Sequence, residues 1–64
     1  MSNLNRIVEF LREEGIPKTP HEISIWTGIK LEEVYETLQE NKIMFTQILD
    51  KGYLKGWIVS SGYY

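Results

Sequence analysis

The chain has no cysteine, which removes disulfide cross-links and thiolate metal sites together and leaves packing to hold the fold. It has a single histidine, His21. With no second histidine and no Asp or His at helical ligand spacing, His21 reads as a polar residue in the first turn of a helix rather than a metal ligand or a base. Ser24, Ser60 and Ser61 find no acid-and-base set beyond that one histidine, and no glycine-rich phosphate loop is present. Neither an enzyme nor a cofactor is therefore expected. No apolar run approaches the roughly 20 residues that a membrane helix needs. The opening MSNLNR lacks the apolar stretch of a secretory signal, so the expectation is an intracellular protein, cytoplasmic or nuclear, with no membrane partner. Positive charge is also short. Seven Lys and Arg stand against nine Asp and Glu, a net charge of −2, unlike the basic balance of proteins that hold nucleic acid by bulk electrostatics.

What is present is an ordinary globular composition, 42% hydrophobic and 25% charged over 64 residues. That length predicts one domain, residues 1 to 64, with a small core, because a fold of this size buries only roughly 60% of its unfolded surface. There are no internal repeats and no low-complexity segment.

Leu4, Ile7, Val8, Phe10 and Leu11 recur at three- and four-residue intervals with charged residues between them. The spacing predicts an amphipathic helix over residues 3 to 14, capped by Ser2 or Asn3 and ended by Gly15. Pro17 forces the residue before it out of the helical region, so residues 16 to 18 read as a short extended connector. Thr19-Pro20-His21-Glu22 is a capping box with proline at the first helical position. The second helix starts there, carries Ile23 and either Ile25 or Trp26 inward, and stops at Gly28, with Trp26 expected in the core. A third helix follows from about residue 30 to 41, with Leu31, Val34 and Leu38 as its inner stripe and Tyr35 beside it.

From Ile43 onward the period changes to two. IMFTQIL and YLKGWIV read as two strands joined by the three-residue loop Asp50-Lys51-Gly52, whose glycine takes the left-handed position of a bulged hairpin. Pairing Leu49 with Tyr53 sets Phe45 against Trp57 and Ile43 against Val59, and leaves Met44, Ile48, Leu54 and Ile58 on the other face. Both faces are then largely apolar. The second face calls for a cover, either the tail with Tyr63 and Tyr64 or a homodimer.

Helix, extended piece, helix, tight turn, helix, hairpin: in this order the chain resembles a winged helix-turn-helix domain, an α+β fold of three helices with a C-terminal β-hairpin wing. The more specific match is Ser24, Gly28 and Val34, standing where that family places a small residue, a turn glycine and a β-branched plug, with Ile23 and Ile29 at the neighbouring apolar positions. Lys30 stands where many members carry a capping Ser, Thr or Asp. The resemblance implies a DNA-binding regulator of transcription. It makes Lys30, Tyr35 and Gln39 on the third helix, with Lys42, Lys51 and Lys55 around the hairpin, candidate contacts to double-stranded DNA.

The charges divide that surface. Residues 30 to 41 carry Lys30 against Glu32, Glu33, Glu36 and Glu40, a balance of −3, where phosphates would demand Arg and Lys. The hairpin has Lys42, Lys51 and Lys55 against Asp50, a balance of +2, with Arg6, Arg12 and Lys18 as further cations. A DNA reading therefore expects the hairpin to make first contact. A second reading keeps the scaffold as a protein-interaction module, without DNA binding. In it Glu32, Glu33, Glu36 and Glu40 meet a basic protein partner and Trp57 belongs to an exposed aromatic patch. A solvated face remains the commoner use of glutamates at helical spacing, and lysines also guard exposed strand edges.

Overall fold

In the computed structural model, which describes residues 2 to 60, helix α1 spans Asn3–Glu14, α2 Pro20–Thr27 and α3 Leu31–Glu40. Strands β1, Phe45–Asp50, and β2, Tyr53–Val59, follow as an antiparallel pair. This is the α+β architecture that the sequence predicts, three helices and a C-terminal hairpin, and it is compatible with a winged-helix layout. The expected cover by Tyr63 and Tyr64 lies outside the described residues.

Local chemistry sets the helix ends. The Ser2 hydroxyl accepts from the Asn5 backbone N–H to start α1. Thr19 accepts from the Glu22 N–H at 3.2 Å while the Glu22 carboxylate accepts from the Thr19 N–H at 3.0 Å, so the capping box forms in full. Lys30 gives α3 no side-chain cap, and Glu32 and Glu33 in its first turn instead complement the positive end of the helix dipole.

Ile7, Val8 and Leu11 of α1 meet Ile23, Ile29, Val34 and Leu38 from the two following helices and their turn, and Phe45 and Val59 close the core from the hairpin. Burying a side chain such as Ile7 or Ile23 completely contributes about 2 kcal/mol each.

Helix α2 departs from expectation. Ile25 is 75% exposed and Trp26 70% exposed, so neither is a core residue. The inner stripe of α2 is Pro20, Ile23, Ser24 and Thr27, a three- and four-residue repeat in which the first two are buried and the last two half-buried. Two of those four are polar and bond backbone through their hydroxyls, so Ile23 anchors the helix while Ser24 and Thr27, rather than Ile25 and Trp26, complete its inner stripe. Thr27 donates to the Ile23 carbonyl at 2.6 Å, and Ser24 to the Ile29 carbonyl at 2.6 Å.

The hairpin register also differs. Phe45 pairs with Val59, Gln47 with Trp57, Leu49 with Leu54 and Asp50 with Tyr53, with an irregularity after Ile48. The turn is the pair Lys51 and Gly52, both left-handed at φ 53° and 84°, which suits a two-residue type I′ connection. Lys55 is then the extra residue of a bulge, opposite the step from Ile48 to Leu49. Beyond the bulge the slip is two residues and the faces survive, with Phe45 and Val59 buried and Trp57 packed against the core. Between the bulge and the turn the slip is one residue, which moves Leu54 to the face of Leu49 and Tyr53 to the opposite one. Ile43 precedes the strand in a turn and is exposed, rather than pairing with Val59.

The connector takes a further role. Lys18 and Trp57 exchange backbone hydrogen bonds of 3.1 and 2.7 Å, which adds one antiparallel bridge along the free edge of β2. Gly56 makes that approach possible. A Cβ there would lie 2.5 Å from the Lys18 nitrogen and 2.7 Å from the Pro17 carbonyl carbon.

Candidate nucleic-acid interface

Between α2 and α3 the chain reverses at Gly28, held at φ 78°, a conformation open to glycine at little cost. Its amide donates to the Ser24 carbonyl at 2.9 Å. The Ile29 N–H donates to the Thr27 hydroxyl at 3.2 Å, and the Arg6 guanidinium reaches across from α1 to donate to the Thr27 carbonyl. The turn that aims α3 is thus fixed from three sides. Ser24, besides being small, ties α2 to the start of the turn through its hydroxyl, and Val34 is fully buried at the angle between the helices.

On α3 this leaves Glu32, Glu33, Tyr35, Glu36, Gln39 and Glu40 exposed, with Lys30 exposed just before the helix. Among the described residues none of these glutamates forms an ion pair, so the helix presents uncompensated negative charge. Lys30, Tyr35 and Gln39 stand among those carboxylates rather than in a basic patch.

The hairpin is the cationic part. Lys42 is exposed in the turn before β1, Lys51 at the hairpin tip and Lys55 at the bulge, and among the described residues none of the three is in an ion pair. Lys51 sits at the one non-glycine left-handed position of the described chain. Asn or Asp would hold that conformation at lower cost than Lys51 does. Beside it Tyr53 is 79% exposed and Leu49 58% exposed.

Two of the three additional cations are not free. The Lys18 ammonium, only 13% exposed, lies 3.3 Å from Glu14 and 3.8 Å from Glu22. Its backbone role at Trp57 carries its side chain toward those two carboxylates. Arg6 is spent on the Thr27 carbonyl. Arg12 alone stays exposed without an ion pair. Glu22 is held below its ordinary carboxylate pKa chiefly by the Thr19 backbone N–H. Burial opposes this as the next largest effect, and the Thr19 hydroxyl and Lys18 add smaller lowering effects.

Trp57 is half-buried in the sheet, against the core and between Gln47 and Lys18, so it is not the exposed aromatic that the sequence suggested. Trp26 is. The signal was present in the spacing of residues 20, 23, 24 and 27, which leaves 26 off the inner stripe, but the polarity of Ser24 and Thr27 concealed it.

Comparison with known protein families, with curated proteins and with solved structures gives no match for this chain.

Proposed function

We propose that this chain is a small winged-helix-type DNA-binding protein, a regulator of transcription, that meets duplex DNA with its hairpin first. The observation that carries this reading is the exposed set Lys42, Lys51 and Lys55, unpaired among the described residues, with Lys51 at the hairpin tip. Lysines on a projecting hairpin neutralise phosphates without reading bases, so the contact is electrostatic, salt-sensitive and weakly selective. Lys30, Tyr35 and Gln39 then lie on the side of α3 that approaches the duplex second, where Glu32, Glu33 and Glu36 hold affinity down. A homodimer formed over the exposed cross-strand pair Leu49 and Leu54 brings two sets of lysines to one duplex. Amide chemical shifts followed during titration with a short random-sequence duplex test the reading: the largest changes are expected at residues 51 to 55 and at Lys42. Changes confined to other parts of the surface overturn it.

One observation favours a second reading. Glu32, Glu33, Glu36 and Glu40 form a continuous, unneutralised acidic face on α3, which suits a basic protein partner. Under that reading the glutamate amides respond to a basic partner and the hairpin lysines do not respond to DNA.

A further inference from the structure

Helices α1 and α2 enclose an open groove of about 320 Å³ lined by Arg6, Glu9, Phe10, Glu13, Trp26 and Thr27. It lies apart from the hairpin lysines, and none of the α3 glutamates lines it. We propose that this groove docks an arginine-bearing segment of a partner protein.

Three features select that occupant. The Trp26 indole is 70% exposed, and tryptophan offers the strongest ring face to a cation. Glu9 and Glu13 lie one turn apart on the same side of α1 and are exposed, and among the described residues neither is in an ion pair, even with Arg12 on the same helix. The C-terminal end of α2, the negative end of its dipole, opens into the groove at Thr27. The protein itself uses that end to hold a guanidinium, since Arg6 donates to the Thr27 carbonyl. Glu9 and Glu13 against the committed Arg6 give the lining a net charge of −1, with Arg12 beside the same two carboxylates on the outer side of α1.

An aromatic face, two carboxylates and helix carbonyls suit a planar guanidinium, which stacks and donates at once, better than an ammonium. Phe10, half-buried at the floor, gives the aliphatic stem of the arginine an apolar wall. Because α1 and α2 carry the groove, it operates whether or not the hairpin binds DNA.

The test is titration of the full chain with a capped nonapeptide carrying arginines spaced by leucine and glycine, read at the Trp26 indole N–H and the Glu9 and Glu13 amides. The same peptide with citrulline at each arginine is the control, since citrulline keeps shape and loses charge. The arginine peptide is expected to shift all three signals, and both the citrulline peptide and Trp26→Ala to bind about tenfold more weakly. Glu9→Gln with Glu13→Gln weakens binding and flattens its salt dependence. The citrulline comparison uses the unaltered protein, so a folding defect in a variant does not obscure the result. Equal affinity for the citrulline peptide, shifts centred on Glu32, Glu33 and Glu36 instead, no response at millimolar peptide, or masking of Trp26 by a second copy before peptide is added would each overturn the proposal.

Discussion

The backbone of Lys18 passes so close to Gly56 that a Cβ on residue 56 would stand 2.5 Å from the Lys18 nitrogen. That approach joins the connector between α1 and α2 to the hairpin, and it explains why Lys18 is withdrawn from the protein's basic surface. Gly56 also has φ 153°, which L side chains rarely adopt. Gly56→Ala is expected to cost about 3 kcal/mol, because both backbone strain and a clash with main-chain atoms must be relieved. Urea unfolding checks it: a midpoint equal to the parent's would mean that the bridge to Lys18 does not hold.

Gly28 is a different case. A Cβ there meets nothing nearer than the Arg6 guanidinium at 3.8 Å, so its constraint is the positive φ alone. Gly28→Val is expected to lose about 1–3 kcal/mol, and Gly28→Asn distinctly less, since asparagine tolerates the left-handed region. Equal losses for the two variants in thermal melts would place the cause in sterics instead.

Glu22 predicts a pH dependence. Its folded pKa lies below the ordinary value of 4.5, so across that range the unfolded chain binds more protons than the folded one and stability rises with pH. The contribution is fully present above the unfolded pKa and is lost as pH falls through the folded one. Glu22→Gln is expected to flatten the acid limb of the melting-temperature profile below about pH 4.5. An unchanged slope would contradict the capping-box account.

Leu49 and Leu54, exposed side by side across the hairpin, predict self-association that weakens when both become Thr. Sedimentation at several concentrations reads this directly, and a strict monomer at all of them contradicts it.

Much of this fold is legible from local chemistry. Ser2, the Thr19 and Glu22 pair, Gly15 and Gly28 each place a helix end without reference to the rest of the molecule, which is why the three helices lie where periodicity puts them. The departures have both local and tertiary causes. Ile23 is buried as expected, but Ile25 and Trp26 face outward while Ser24 and Thr27 take the rest of the inner stripe, their hydroxyls bonding backbone there. The hairpin register differs from the expected one because Lys51 accepts a left-handed turn position, which shortens the loop to two residues and places the bulge at Lys55. Lys18 looked like surface charge because nothing near it in sequence reveals the strand edge that it joins. Of the candidate interface, the exposed lysines and the acidic face of α3 were readable from composition along the chain. The half-buried state of Trp57 and the groove at Trp26 were not, since both depend on how separate elements pack.

Under the proposed function the hairpin lysines contact phosphates. The most direct test measures affinity for random duplex DNA across a range of salt concentrations for three proteins: the parent, Lys51→Ala with Lys55→Ala, and Glu32→Gln with Glu33→Gln and Glu36→Gln. The expected result is weak binding at low salt, a log–log salt slope shallower by about two when both lysines are removed, and tighter binding when the three glutamates are neutralised. No binding to any duplex at low salt, even with the glutamates neutralised, would contradict it.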